Sequence, residues 1–243
     1  MSSRESGTGS AGGGTRADAT PVGAAPLTDT SRLAIHTVTT KPWPIETAID
    51  KYAAAGVAGI SIWRDTLEGR SLKRVRAQMA DAGLAGVSLV RGGFFTSRDT
   101  SARDAAMEEN RRCLEEANAL GLPLIVLVCG ADPAQSLAES RRQITDALRE
   151  LAPEAADAGV RLGIEPLHPM YADTRSAVNT LGQANDICRD VDHPAVSVVV
   201  DVYHLWWDPH LEHEIYRAAG SGTSDVGIRA PAAGGRATGA GRL

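Results

Sequence analysis

The feature that most constrains the fold of this 243-residue chain is a regular alternation of short aliphatic runs with longer amphipathic stretches. Strand-length runs separated by helical patterns predict βαβ units on a parallel sheet. Six runs occur, at Leu33–Val38, Val57–Ile62, Gly86–Val90, Leu124–Val128, Val160–Ile164 and Ala195–Val200. Helical patterns lie between them near residues 45–55, 70–82, 101–120, 134–158 and 174–190, and a last one follows over roughly Leu211–Ala219.

The spacing of these units favours a barrel. Six βα units lie between residues 31 and 219. The number of residues per unit matches that of a (β/α)8 TIM barrel, which usually has ~250 residues. A doubly wound open sheet is the alternative, but no GxGxxG motif follows the first run, which excludes its usual dinucleotide-binding form. We therefore predict an α/β fold of the TIM-barrel type in which only about six βα units are present.

The two ends of the chain differ from its middle. Residues 1–30 and 220–243 are rich in Gly, Ser, Thr and Ala and lack a periodic apolar pattern. Segments of this composition bury too little surface to offset the entropy of ordering, so we predict disordered tails on either side of a domain over residues 31–219. For the second tail, a frameshift or truncation of the original coding sequence is an alternative.

Composition excludes several classes of function. The formal net charge of -5 argues against a protein that grips nucleic-acid phosphates. No stretch approaches the ~18 consecutive apolar residues of a membrane-spanning helix. Cys113, Cys129 and Cys188 are far apart and lack metal-type spacing, which is typical of a reduced compartment. We expect a cytoplasmic protein with no nucleic-acid or membrane partner.

Aromatic residues concentrate just after the predicted strands, where the reactive face of such folds lies. All Phe, Trp and Tyr residues except Tyr52 and Tyr216 fall there. This predicts a pocket with flat apolar walls for a small molecule such as a sugar, although rings that merely plug the barrel mouth are the alternative. We assign Trp63, Arg91 and Trp206 to substrate binding. Arg91 could meet an anionic group or form a plain surface salt bridge.

Two carboxylates carry the most information about chemistry. Glu165 and Asp201 each end an aliphatic run, in the phrases VRLGIE and AVSVVVD. A divalent cation between them would offset the cost of burying them and supply Lewis acidity. The alternative is a helix N-cap or a strand-end salt bridge. His168 and His204 each follow a carboxylate by three residues and could be metal ligands, partners of ligands or substrate hydrogen-bond donors.

At this point the chain resembles the xylose isomerase-like TIM barrels, the sugar phosphate isomerase/epimerase superfamily that includes the AP endonuclease 2 type domain. The resemblance covers about residues 33–219. It rests on the phrase GIEPLHP after the fifth run, the phrase VVVDVYHLWWDP at the sixth, and the βα order before them. It implies one divalent metal ion (Mn²⁺, Mg²⁺, Co²⁺ or Zn²⁺) held by side chains at the ends of strands 5 to 8.

The resemblance also assigns roles. Glu165 and Asp201 match the ligands of strands 5 and 6, His204 matches a substrate-holding histidine, and His168 lies where relatives carry a polar substrate-binding residue. The ligands of strands 7 and 8 have no counterpart, which supports truncation or frameshift after the sixth unit. We therefore expect weak metal binding, and poor solubility or homo-oligomers through open strand edges.

The activity implied by the resemblance is isomerisation or epimerisation of a sugar, sugar phosphate or polyol. The proton would move through an enediolate, with Glu165 acting both as metal ligand and in proton transfer. One alternative is a non-catalytic sugar-binding remnant of a barrel. An endonuclease at abasic DNA sites is less favoured, because the chain has six histidines and a negative net charge. A lone histidine that ends a strand, such as His36, is interpreted as structural.

Overall fold

The computed structural model describes residues 29–220, so the predicted tails, apart from residues 29, 30 and 220, lie outside the described residues. The strands are β1 (Ala34–His36), β2 (Gly59–Trp63), β3 (Ala85–Gly93), β4 (Leu124–Val128), β5 (Arg161–Ile164) and β6 (Val196–Val198). The helices are α1 (Ile45–Ala54), α2 (Leu72–Asp81), α3 (Thr100–Leu120), α4 (Leu137–Asp157), α5 (Leu181–Val191), α6 (Val202–Leu205) and α7 (Leu211–Gly220).

The six strands form one parallel sheet in the sequential order β1-β2-β3-β4-β5-β6. Each strand reaches the next through a helix, so the sheet winds in one direction throughout. A doubly wound sheet would reverse its strand order at a switch point, and this one does not. The predicted TIM-barrel type with six βα units is confirmed. No helix within residues 29–220 is long and apolar enough to cross a membrane.

Side-chain caps mark the starts of α4 and α5, which were both predicted too early. The Ser136 side chain accepts the Glu139 N–H (3.1 Å), so α4 begins at residue 137 rather than 134. Thr180 caps α5 by accepting the Gln183 N–H (3.2 Å), so that helix begins at 181 rather than 174. The residues before Thr180 are held differently, because the Ala177 N–H donates to the Gly130 carbonyl (2.9 Å).

The two faces of the sheet carry different side chains, because successive residues of a strand point to opposite sides. The outer face is aliphatic and packs beneath the helices; it includes Ile60, Ile62, Leu89, Ile125, Leu127, Leu162, Ile164, Val196 and Val198. The inner face holds a smaller apolar cluster of Val90, Val126 and Val199, against which Trp63 and Leu124 pack. By the same alternation, the inner face also carries buried polar residues, namely His36, Ser88 and Ser197, and beside them Ser61.

Strand β3 is longer than the sequence predicted. It runs to Gly93, so Arg91 lies within the strand and not after it. The end of β3 is fixed by Asn110 of α3, which accepts the Gly93 N–H (2.7 Å) and donates to the Gly93 carbonyl (2.8 Å). Gly93 has a φ of 109°, and a Cβ there would lie 2.1 Å from the Val128 carbonyl oxygen. Only glycine therefore fits at this close approach of two strands.

Candidate active site

Glu165 and Asp201 follow the neighbouring strands β5 and β6, and their side chains are buried, with relative exposures of 4% and 6%. The Glu165 N–H donates to the Leu127 carbonyl (3.1 Å), which continues the β4–β5 ladder and fixes the start of the loop. Burial and the nearby charge of Asp201 raise the pKa of Glu165 to about 8. The structure thus places the two predicted carboxylates close enough for the charge of Asp201 to act on Glu165.

Asp201 also caps a helix, which was the structural alternative considered from the sequence. Its Oδ1 accepts the Tyr203 N–H (2.8 Å) at the start of α6, a one-turn helix that the sequence did not predict. Burial raises the pKa of Asp201, while the backbone N–H groups of Tyr203 and His204 oppose that rise. A carboxylate that caps a helix can still take a further partner, because its two oxygens offer about four lone-pair sites. The capping and metal-binding interpretations are therefore compatible.

The carboxylate pair fits part of a divalent cation site. Two buried like charges at neighbouring strand ends are costly unless a cation or a proton neutralises them. Within residues 29–220, no group of three or more His, Cys, Asp and Glu side chains could hold an ion together. Glu165 and Asp201 would therefore supply two oxygen ligands, and the remaining positions would fall to water, substrate or residues beyond that range.

His168 and His204 lie side by side. The His168 backbone N–H donates to His204 Nδ1 (3.4 Å), and the Met170 N–H donates to His168 Nδ1 (3.2 Å). Since each Nδ1 accepts a hydrogen bond, each neutral ring carries its proton on Nε2. Burial, and next to it the charges of His168 and Arg175, lower the pKa of His204 to about 4. His204 is therefore a neutral hydrogen-bond donor at physiological pH.

Aromatic rings hold these histidines in place. The edges of Tyr171 and Tyr203 meet the His204 ring at centroid distances of 5.8 and 5.1 Å. Trp207 packs against His168 at 5.8 Å, and its indole N–H donates to the His204 carbonyl (2.8 Å). The rings after β5 and β6 thus support polar groups as well as forming apolar surface.

A second group of site residues lies at the ends of β2 and β3. Arg91 places its Cζ 5.3 Å from the centroid of the Trp63 ring and 4.8 Å from that of Phe94. The structure therefore brings the predicted residues Trp63 and Arg91 together. Phe95, in contrast, is fully buried in the core beneath the helices and cannot form a pocket wall.

Trp206 stands apart from these groups. It is 73% exposed and lines a surface groove beside α7 with Leu211, Ile215 and Tyr216. None of the carboxylates or histidines described above lines that groove. The structure does not bring Trp206 to the other candidate residues, and its substrate-binding role stays a prediction.

His36 is a candidate that the sequence analysis treated as structural. Its Nδ1 lies 3.0 Å from the Ser61 carbonyl oxygen. A carbonyl can only accept, so Nδ1 carries the proton and Nε2 of the neutral ring is an acceptor. The residue is 7% exposed, and Nε2 is buried without a hydrogen-bond partner in the part of the chain that the structure describes. The ring packs 5.7 Å from Trp63, which places this free acceptor beside the Trp63–Arg91 group.

Comparison with known proteins agrees with the fold. The family model for xylose isomerase-like TIM barrels matches residues 49–225. A crystal structure of protein SMc04130 from Sinorhizobium meliloti 1021 is 40% identical with a TM-score of 0.75, over 79% of this chain and 70% of that one. A crystal structure of the IOLI protein with a bound zinc atom has a TM-score of 0.61 at 23% identity, over 71% of this chain and 63% of that one.

Two curated relatives are enzymes. A 3-dehydroshikimate dehydratase of Pseudomonas putida is 32% identical over 175 residues, 69% of this chain and 26% of the relative. An inosose isomerase of Halalkalibacterium halodurans is 30% identical over 135 residues, 55% of this chain and 42% of the relative. The chain thus matches about a quarter and two fifths of their respective lengths. Because the family model covers well over half of the chain, and the strand order is that of the barrel, the chain belongs to the xylose isomerase-like TIM barrel family.

Proposed function

We propose that this chain is a divalent-metal-dependent isomerase or epimerase of sugars or polyols, whose reaction begins with removal of a proton next to a substrate carbonyl. The observation that carries this proposal is the buried pair Glu165–Asp201 at two neighbouring strand ends. Isomerases and dehydratases, the activities named for the two curated relatives, can share that first step. They differ in whether the proton is returned or a hydroxyl leaves.

Glu165 and Asp201 would hold the cation. A divalent ion bound there supplies a Lewis acid that makes the proton next to the carbonyl more acidic. Mn²⁺, Mg²⁺, Co²⁺ and Zn²⁺ are the candidates, and the zinc in the IOLI structure supports a site of this kind in the fold. Glu165 is also our candidate for proton transfer, because a carboxylate beside the cation can take up the proton that the cation makes more acidic.

The surrounding side chains would orient the substrate. His168 and His204 present Nε2–H groups that can donate to substrate oxygens. His36 presents an acceptor that suits a substrate hydroxyl. The Trp63 ring offers a flat wall for the apolar CH face of a sugar. Donors on one side and an acceptor on the other would fix which hydroxyl lies beside the carbonyl.

Solvent-exchange experiments test this proposal. The chain, supplied with each candidate metal, is incubated in D₂O with ketoses and with inosose, and loss of the proton next to the carbonyl is followed by NMR. We expect exchange by the wild type and a fall of ~10²–10⁴-fold in Glu165→Gln, the usual range for a general base. Glu115→Gln makes the same change at an exposed position of α3 and should keep the wild-type rate.

The non-catalytic alternative has one observation in its favour, the lack of a three-ligand cluster within residues 29–220. Under that alternative the chain binds sugars but exchanges no proton with any metal. Binding without exchange would therefore replace the enzymatic proposal by the sugar-binding one.

A further inference from the structure

Two arginines at the candidate active site are held by aromatic rings rather than by carboxylates. Arg91 stacks on Trp63 and Phe94, and the Cζ of Arg175 lies 5.4 Å from the centroid of the Tyr171 ring. Neither forms an ion pair with a described residue, whereas Arg64 and Arg111 on the outside of the sheet each pair with two or more glutamates. A ring covers the face of a guanidinium group and leaves its in-plane N–H groups free to donate.

The backbone brings these two arginines to the same part of the barrel mouth. Gly130, just after β4, donates its N–H to the Arg175 carbonyl (2.9 Å). On its other side, a Cβ built on Gly130 would lie 2.9 Å from the Phe94 Cα. Gly130 is thus sandwiched between the segment after β3 and the loop after β5. A side chain at this position would push the two arginine-bearing segments apart.

The charges of the two arginines influence one another. Burial, and after it the charge of Arg175, lowers the pKa of Arg91, while the charge of Asp65 opposes this. Arg175 also contributes to the lowered pKa of His204, since the Tyr171 ring contacts both residues. Two cations that repel each other and lack a carboxylate partner are stabilised by a bound anion. If Glu165 and Asp201 hold a cation, their carboxylates cannot also neutralise the two arginines.

We propose that Arg91 and Arg175 form an anion clamp that binds a carboxylate or phosphate group carried by the substrate, away from its reacting carbonyl. This inference rests on the proposed function, because it names the substrate class of the same site: an acidic sugar or polyol rather than a neutral one. The planar guanidinium fork matches both anions, and the partial burial of Arg91 strengthens its pairing, whereas Arg175 is exposed. The cation would then hold the substrate near its reacting carbonyl, and the clamp would hold its anionic group.

Three pyranoses that differ only at C6 test the clamp: D-glucose, D-glucuronate and D-glucose 6-phosphate. Each is titrated into the full chain without metal, and binding is followed by calorimetry. We expect at least one charged sugar to bind roughly tenfold or more tightly than glucose, as a charge-assisted pair allows. The difference should shrink as salt is added.

Substitutions locate the binding. Arg91→Ala and Arg175→Ala should each remove most of the preference for the charged sugar, whereas Arg74→Ala removes an equal charge at an exposed position of α2 and should leave it intact. Circular dichroism and thermal unfolding confirm that each variant is folded. Arg91→Lys and Arg175→Lys should retain part of the binding to phosphate and less of that to carboxylate, for which the bidentate fork matters more.

The outcomes separate the possibilities. Preference for glucuronate assigns a carboxylate substrate, and preference for glucose 6-phosphate assigns a phosphorylated one. Equal affinity for all three sugars, no binding of any, or a preference that survives both alanine substitutions overturns the clamp. The measurement needs neither metal nor turnover. Loss of proton exchange with an intact preference would therefore defeat the proposed function alone, and the reverse result would defeat the clamp alone.

Discussion

The outer and inner faces of the sheet are built from the same six strands but carry different kinds of side chain. The outer face is a continuous aliphatic layer whose side chains are almost completely buried beneath the helices. The inner face combines three valines with buried hydroxyls and a histidine nitrogen that has no hydrogen-bond partner among residues 29–220, and leads up to the two buried carboxylates. Within the strands, buried polar side chains thus occur on the inner face and not on the outer one. The comparison indicates that the outer face stabilises the fold and the inner face carries the chemistry.

Val198, the last residue of β6, and Val199, which follows it, offer the sharpest test of this comparison. Val198 belongs to the core beneath the helices, whereas Val199 belongs to the small inner cluster. We expect Val198→Ala to lower the free energy of unfolding by about 2 kcal/mol, from the lost apolar transfer and the cavity left behind. Val199→Ala should cost about 1 kcal/mol, because fewer apolar neighbours surround it.

Urea denaturation of the two variants and the wild type measures both values. The substitution is the same and the two positions are adjacent in the chain, so the two variants act as controls for each other. Equal losses, or a larger loss for Val199→Ala, would show that the inner face contributes as much to the core as the outer one.

A smaller effect is expected at His36, on the inner face. Asn at position 36 can still donate to the Ser61 carbonyl but has no acceptor at the place of Nε2, whereas the Gln amide oxygen can reach that place. We expect His36→Asn to raise KM about fivefold to tenfold with little change in kcat, since one hydrogen bond contributes about 1 kcal/mol. His36→Gln should stay closer to the wild type.

Exchange kinetics, with thermal unfolding as the check on folding, separate these effects. If Asn and Gln give the same KM, Nε2 makes no bond to the substrate and His36 is structural, as the sequence analysis held.

The order of elements could be predicted from the sequence because aliphatic runs and amphipathic stretches indicate which residues face the core. All six strands occur where the runs predicted them, and the family resemblance is confirmed by the family model. The predictions were wrong at element ends that local contacts, and not the hydrophobic pattern of the sequence, determine. The early helix starts missed the caps of Ser136 and Thr180. The predicted β3 was too short, because its end at Gly93 depends on contacts with the neighbouring strand and with Asn110.

The candidate site was predictable to the extent that strand ends converge. Glu165 with Asp201, His168 with His204, and Trp63 with Arg91 come together in the structure. Arg175 was missed because the sequence placed it at the start of a helix predicted over residues 174–190, whereas it lies in an irregular loop before α5. The acceptor on His36 could not be predicted, because its tautomer depends on a carbonyl of another strand.

Metal titration tests the central claim, that Glu165 and Asp201 hold a divalent cation together. Calorimetric titration with Mn²⁺, Mg²⁺, Co²⁺ and Zn²⁺ compares the wild type, Glu165→Gln, Asp201→Asn and the control Glu115→Gln. Asn can still cap α6, so Asp201→Asn removes the charge while keeping the helix start. We expect one site for at least one of these ions in the wild type and the control, and loss of that site in both other variants. Binding unchanged by either substitution, or no binding by the wild type, would contradict it.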